Sequence, residues 1–260
     1  DLGIPLFDRR ARAIVLNAAG QEAMVTIGEI LARYEALARR DDAGTLVGTL
    51  AMGALVSALM GAFADALWAL KRKHPQLDVR LLAGMSREFA QKVDDGELDA
   101  AVVTEPPHAL SAGLQWTALY AEPMVLIAPS RAHFVMPATA LRILRDAPFI
   151  RFDRQTWTGY LVRNVLREVD IKVHDAMELN SVEAIVALVR SGFGVAIVPK
   201  LANVRWERDR ALKVLEIPGV DVVRRVGLLE RTRHPRMQAT AAIKAWFGER
   251  FDERRRGRAA

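Results

Sequence analysis

The chain has 260 residues, 51% hydrophobic and 26% charged, with a formal net charge of +6 and a pI near 10.0, the composition of a folded globular chain rather than a disordered one. It contains no cysteine, which removes disulfides, thiolate metal sites and thiol nucleophiles together. No apolar run reaches membrane-spanning length and the opening DLGIPLFDRR lacks the basic-then-apolar order of a secretory signal, so a cytoplasmic protein without a membrane partner is expected.

Leu2, Ile4, Leu6 and Phe7 are followed by Arg9, Arg10 and Arg12 and then by a second apolar run, Ile14 to Leu16. This pattern predicts a short hairpin with packed arms and a basic tip, able to lay arginines beside phosphates. From Ala18 to about Arg39 the pattern is helical. Met24, Ile27, Leu31, Tyr34 and Ala38 recur at alternating three- and four-residue steps, a heptad seam able to pair with a copy of itself or to lie on its own domain. Arg39 to Gly44 is polar and reads as a boundary.

Strand and helix then alternate. Gly48 to Gly53 reads as a strand, and Ala54 opens a helix with Leu59, Phe63, Leu67 and Leu70 on one face, closed by Lys71, Arg72, Lys73 and His74 before Pro75. Leu77 to Leu82 and Asp99 to Val103 are strands flanking a helix that carries Phe89 and Val93. Met124 to Pro129 and Phe149 to Phe152 are further strands, and Thr156 to Glu168 a helix. In Ala176 to Pro199 the chain reads as strand, helix, strand: Met177 and Leu179 alternate, Asn180 with Glu183 gives a helix start, and Val182, Ile185, Val186 and Val189 form one apolar stripe. Gly192 is placed as its cap, and Val195 to Val198 is predicted to lie parallel beside the first strand. Gly227 to Leu229 returns to the first half, and Pro235 to Phe247 is amphipathic. Arg250 and Arg254 to Arg258 read as a solvated tail.

Leu2-Gly3, Pro5-Leu6-Phe7, Arg9-Arg10-x-Arg12 and Leu16-Asn17-x-Ala19-Gly20 resemble the end of the winged helix-turn-helix domain of LysR-type transcriptional regulators. Asn17 stands where the family usually has Thr and is an equally good cap, whereas Ala11 replaces the usual wing-tip Gly. Gly48, Leu50 and Gly53, then His74-Pro75, then Gly96, Leu98 and Asp99 resemble the family's effector-binding domain; Phe63-Ala64 stand where many members carry Leu-Pro. The resemblance implies an α/β chain: a two-lobed type II periplasmic-binding-protein-like effector domain, preceded by the end of a winged helix-turn-helix and a linker helix. Residues 1–17 would be the wing, 18–44 the dimerising linker helix and 45–260 the effector domain, with lobe I at about 45–122 and 228–260 and lobe II at about 123–227. It further implies a homodimer or homotetramer, DNA as partner, and a recognition helix lying before Asp1.

Catalysis finds little support in the residues. His74, His108, His133, His174 and His234 are scattered without metal-ligand spacing, and Gly192-Phe193-Gly194 follows a helix rather than a strand. No catalytic residue, metal or cofactor is expected. Arg9, Arg10 and Arg12 are the expected DNA contacts. Ser57, Ser86, Thr104, Thr156, Asn180 and Ser181, at helix starts and strand ends, are the expected effector contacts, each equally readable as a helix cap. Helix N-termini favour an anionic effector, with Leu55 and Val56 to accept its hydrocarbon part. The alternative is a solute-binding protein of a transport system, which would require export and would not carry the wing and linker helix.

Overall fold

The computed structural model describes residues 3–10, 13–38 and 45–256. At the N-terminus, β1 (Phe7–Arg10) and β2 (Ala13–Leu16) pair antiparallel, with Phe7 opposite Leu16 and Arg10 opposite Ala13. Arg9 and Arg10 therefore stand on the arm approaching the tip; Ala11 and Arg12 lie outside the described residues. Asn17 caps the following helix, its side-chain oxygen accepting from the Gly20 N–H at 2.8 Å while its amide donates to the Pro5 carbonyl at 2.9 Å. The helix α1 (Ala18–Ala38) carries Met24, Ile27, Leu31 and Tyr34 with 41–69% of their surface open to solvent.

The first lobe is a sheet in the order β6-β11-β5-β3-β4, built from β3 (Gly48–Ala54), β4 (Leu77–Ala83), β5 (Ala100–Thr104), the first part of β6 (Leu114–Pro129) and β11 (Val223–Arg231). Leu50, Met52, Val102 and Leu228 bury one face of it against Phe63 and Leu70, and against Ile243 and Phe247 of α8 (Met237–Arg256). Phe89 and Val93 of α4 (Ser86–Asp94) cover the other face with Leu229. The single helix expected from Ala54 is instead two, α2 (Val56–Met60) and α3 (Phe63–Lys73). The break falls at Gly61, whose backbone leaves helical geometry. A side chain there would begin 3.0 Å from the Ala202 carbonyl oxygen, so the second lobe's backbone approaches at the break.

The second lobe has the strand order β8-β7-β9-β6-β10, using β7 (Pro148–Phe152), β8 (His174–Leu179), β9 (Ala196–Pro199) and β10 (Leu212–Leu215). The strands either side of the 182–190 helix are therefore not neighbours, contrary to expectation. β7 lies between them: Ile150 donates to the Val195 carbonyl and Val195 to that of Pro148, each at 2.8 Å. A helical crossover that skips one strand leaves room for this insertion. α5 (Ala140–Asp146), α6 (Trp157–Glu168) and α7 (Val182–Arg190) flank the sheet, and Val162, Val165, Ile185 and Val189 are buried against Phe149, Ile150 and Ile197.

β6 belongs to both lobes. Its residues up to Pro123 pair antiparallel with β11, and from Met124 onward it pairs with β9 and then β10. β11 starts opposite Pro123 at Val223, so the two strands run side by side where the chain passes between lobes.

Candidate functional site: the cleft between the lobes

A cavity of about 840 Å³ lies between the lobes, well within the range of small-molecule sites. The first lobe contributes Leu55, Val56 and Ser57 at the start of α2, the turn from β4 into α4, and Arg224 from β11; the second contributes residues 152–158, except Arg154, and 180–183. The first N–H groups of α4, α6 and α7 belong to residues on this wall, and a helix leaves those donors without an intrahelical acceptor.

The six expected effector contacts divide by what their side chains already do. Thr156 and Ser181 are caps. The Thr156 hydroxyl accepts from the Gly159 N–H at 2.9 Å and donates to the Asp153 carbonyl at 2.7 Å. A Cβ on Gly159 would fall 1.9 Å from that same carbonyl oxygen, so only glycine permits this tight helix entry. The Ser181 hydroxyl accepts from the Ala184 N–H at 3.2 Å and donates to Glu183 Oε2 at 2.6 Å. The helix start read at Asn180 thus falls one residue later, and Glu183 sits at the second helical position, where it meets the Ser181 hydroxyl. Ser181→Ala should cost about 1 kcal/mol, measurable as a lower chemical-unfolding midpoint without ligand.

Ser57 and Ser86 are not caps, since Leu55 and Met85 hold the cap positions. Ser57 Oγ accepts from Arg224 Nη1 at 3.0 Å, and Ser86 Oγ accepts from the Thr104 N–H at 3.2 Å. Each hydroxyl proton is left to donate. Asn180 is exposed on the cavity wall. Thr104 is not on the wall: only 1% exposed, it stands behind it, its Oγ1 3.5 Å from Thr158 Oγ1. Arg9 and Arg10 belong to the separate N-terminal hairpin.

Sequence reasoning missed the charged pair beside the cavity. Arg224 and Glu122 face each other across β11 and β6, both 1% exposed. Glu122 Oε2 accepts from Arg224 Nε at 2.9 Å and from Nη2, while Glu122 Oε1 accepts from the Ala202 N–H at 2.8 Å. One guanidinium thereby ties the first lobe's Ser57 to a carboxylate that holds the second lobe's backbone. The available signal was the lone charge of Glu122 in the apolar β6; Arg224 is followed by Arg225 and does not stand out in β11. Among the described residues, no group of three or more histidines and carboxylates is arranged to hold a metal ion, and no helix is long and apolar enough to cross a membrane.

A model of the LysR substrate binding domain matches residues 43–252. A protein of Guillardia theta named "Probable RuBisCO transcriptional regulator" is 30% identical over 93% of this chain and 79% of its own length. The HTH-type transcriptional regulator CbbR of Xanthobacter flavus is 28% identical over 96% and 75%. Among solved structures, the effector binding domain of QuiR in complex with shikimate superposes with a TM-score of 0.67 at 16% identity, covering 80% of this chain and 99% of that one. A full-length OxyR variant from Pseudomonas aeruginosa gives 0.67 at 22% identity, covering 95% and 80%. At these identities the two structures speak for the fold alone.

Proposed function

This chain belongs to the LysR family of transcriptional regulators, and from that premise we propose that the cleft between its lobes is the effector site and takes a small organic acid. The observation that carries this reading is the meeting of unengaged donors on one wall, the Ser57 and Ser86 hydroxyls and the first N–H groups of α4, beside the apolar Leu55, Val56 and Met85. Such donors favour a carboxylate, and the apolar side chains accept its hydrocarbon part. Small organic acids should raise the melting temperature of the chain, as ligands preferring the folded state must, and Ser57→Ala should reduce that rise. Neutral amides of the same acids should do less. A screen in which only neutral or cationic compounds stabilise the chain would end the organic-acid reading.

In the same reading residues 1–17 are the wing, with Arg9, Arg10 and Arg12 on DNA phosphates. Residues 18–44 are the linker and 45–260 the effector domain, and the start of β11 at Val223 supports a second passage between lobes near that residue. The protein acts in the cytoplasm, without catalysis or cofactor. It assembles as a homodimer or homotetramer through α1, a reading supported by the exposure of Met24, Ile27, Leu31 and Tyr34 along one seam. Leu31→Asp places a charge in that seam and should shift the molar mass toward monomer in sedimentation or light scattering. An unchanged oligomer would move the contact to the effector domains.

A further inference from the structure

More carboxylates than cations line the cleft, so net charge alone gives an anion no reason to settle there. Arg224, the most buried of the cations, is already matched by Glu122. Lys92 is drawn toward Glu97, their charged atoms 2.8 Å apart. What the cleft offers is directed groups: hydroxyl and guanidinium donors on the first lobe and, on the second, beside the first N–H groups of α6 and α7, one unsatisfied acceptor.

On the first lobe the groups are donors. Ser57 and Ser86 each accept one hydrogen bond and keep a proton to give. Arg224 uses three of its five N–H groups, two on Glu122 and one on Ser57. On the second lobe the distinctive group is an acceptor. Glu183 Oε2 takes the Ser181 hydroxyl, but Oε1 is buried and has no hydrogen-bond partner among the described residues. A carboxylate oxygen withdrawn from water with no donor is costly to maintain; Glu183 lines the cleft, and a turn of its carboxylate toward the cavity lets a ligand donor relieve that cost.

We infer that the effector is bifunctional: a small acid whose carboxylate is held by Ser57, Ser86 and Arg224 on the first lobe, and which also carries a hydroxyl or ammonium group that donates to Glu183 on the second. The inference rests on the cleft being the effector site and adds the second requirement. An acid without a donor engages one lobe. An acid with one bridges the two and satisfies Glu183, so Glu183 sets specificity between otherwise similar acids.

The test uses the whole 260-residue chain and matched probes: propionate, lactate and alanine; benzoate and 3-hydroxybenzoate; succinate, malate and aspartate. Affinities come from calorimetry, supported by thermal shifts. In at least one set the donor-bearing acid should bind about tenfold or more tightly than its parent, the worth of a hydrogen bond to a charged acceptor. Glu183→Ala and Glu183→Gln should each bring that ratio to within about threefold while the parent acid binds no more weakly than before. The unliganded melting temperature and circular dichroism of both variants report the fold separately, and the ratio in the parent chain stands whether or not they fold. Equal binding of parent and donor-bearing acids, or a preference that survives both substitutions, overturns the inference and leaves the organic-acid site intact. If no acid of any set binds, the organic-acid reading of the cleft fails and this inference with it.

Discussion

Arg224→Met should lower the unfolding free energy by about 3–5 kcal/mol, the cost of leaving one member of a buried ion pair without the other. Glu122 would keep the Ala202 N–H on Oε1 but lose both guanidinium bonds to Oε2, at a site where water has almost no access. Urea unfolding of parent and variant measures the difference. The double variant Glu122→Leu with Arg224→Met removes both charges and should recover most of the loss, because desolvation offsets much of what such a pair contributes. A single variant within about 1 kcal/mol of the parent would show that water or a shifted neighbour replaces the guanidinium.

The second large effect is a pH dependence centred on Glu230. This carboxylate is 1% exposed on β11 and receives the Lys244 ammonium at 2.6 Å, Gln115 Nε2 at 3.0 Å and His234 Nε2 at 3.0 Å. The Arg236 N–H points to His234 Nδ1 at 3.3 Å, which leaves the ring proton on Nε2, facing the carboxylate. Burial alone would raise the carboxyl pKa, but the His234 and Lys244 hydrogen bonds, with Thr240, outweigh it together and bring the group down to about 2 from 4.5. An unfolded chain therefore binds this proton more readily than the folded one. The stabilisation is complete above pH 4.5 and is lost as pH falls toward 2, a loss of about 3 kcal/mol. Unfolding midpoints from pH 2 to 7 should show this slope in the parent and not in Glu230→Gln. Equal slopes would assign the acid sensitivity to other carboxylates.

Much of the fold was legible because its signals are local. The stripe at Val182, Ile185, Val186 and Val189 is set by helical period, and all four side chains are buried. The Asn17 cap needs only three residues of context. What stayed hidden depends on partners far along the chain. Glu122 and Arg224 are 102 residues apart, and only the antiparallel register of β6 with β11 makes them opposite. At the Gly61 break the Ala202 backbone lies close, a contact that helix-face periodicity does not contain. The cleft was half legible: helix starts could be found, but not whether a hydroxyl would be consumed as a cap, as at Thr156 and Ser181, or left to donate, as at Ser57 and Ser86. Nor could the sequence show that one oxygen of Glu183 would be buried without a donor.

The position of β11 between β6 and β5 has a consequence for synthesis. The second lobe takes most of its strands from one contiguous stretch and can close as soon as β10 leaves the ribosome. The first lobe cannot, because the slot in its sheet is filled by residues made more than a hundred positions after β5. At ordinary elongation rates of about 5–20 residues per second, the more than one hundred residues from the first part of β6 to the end of β11 take about 5–20 s. During that interval β5 and the first part of β6 present unpaired edges, the feature most prone to capture a strand from another chain. Exchange of β11 between two nascent copies is accordingly the misassembly this topology favours.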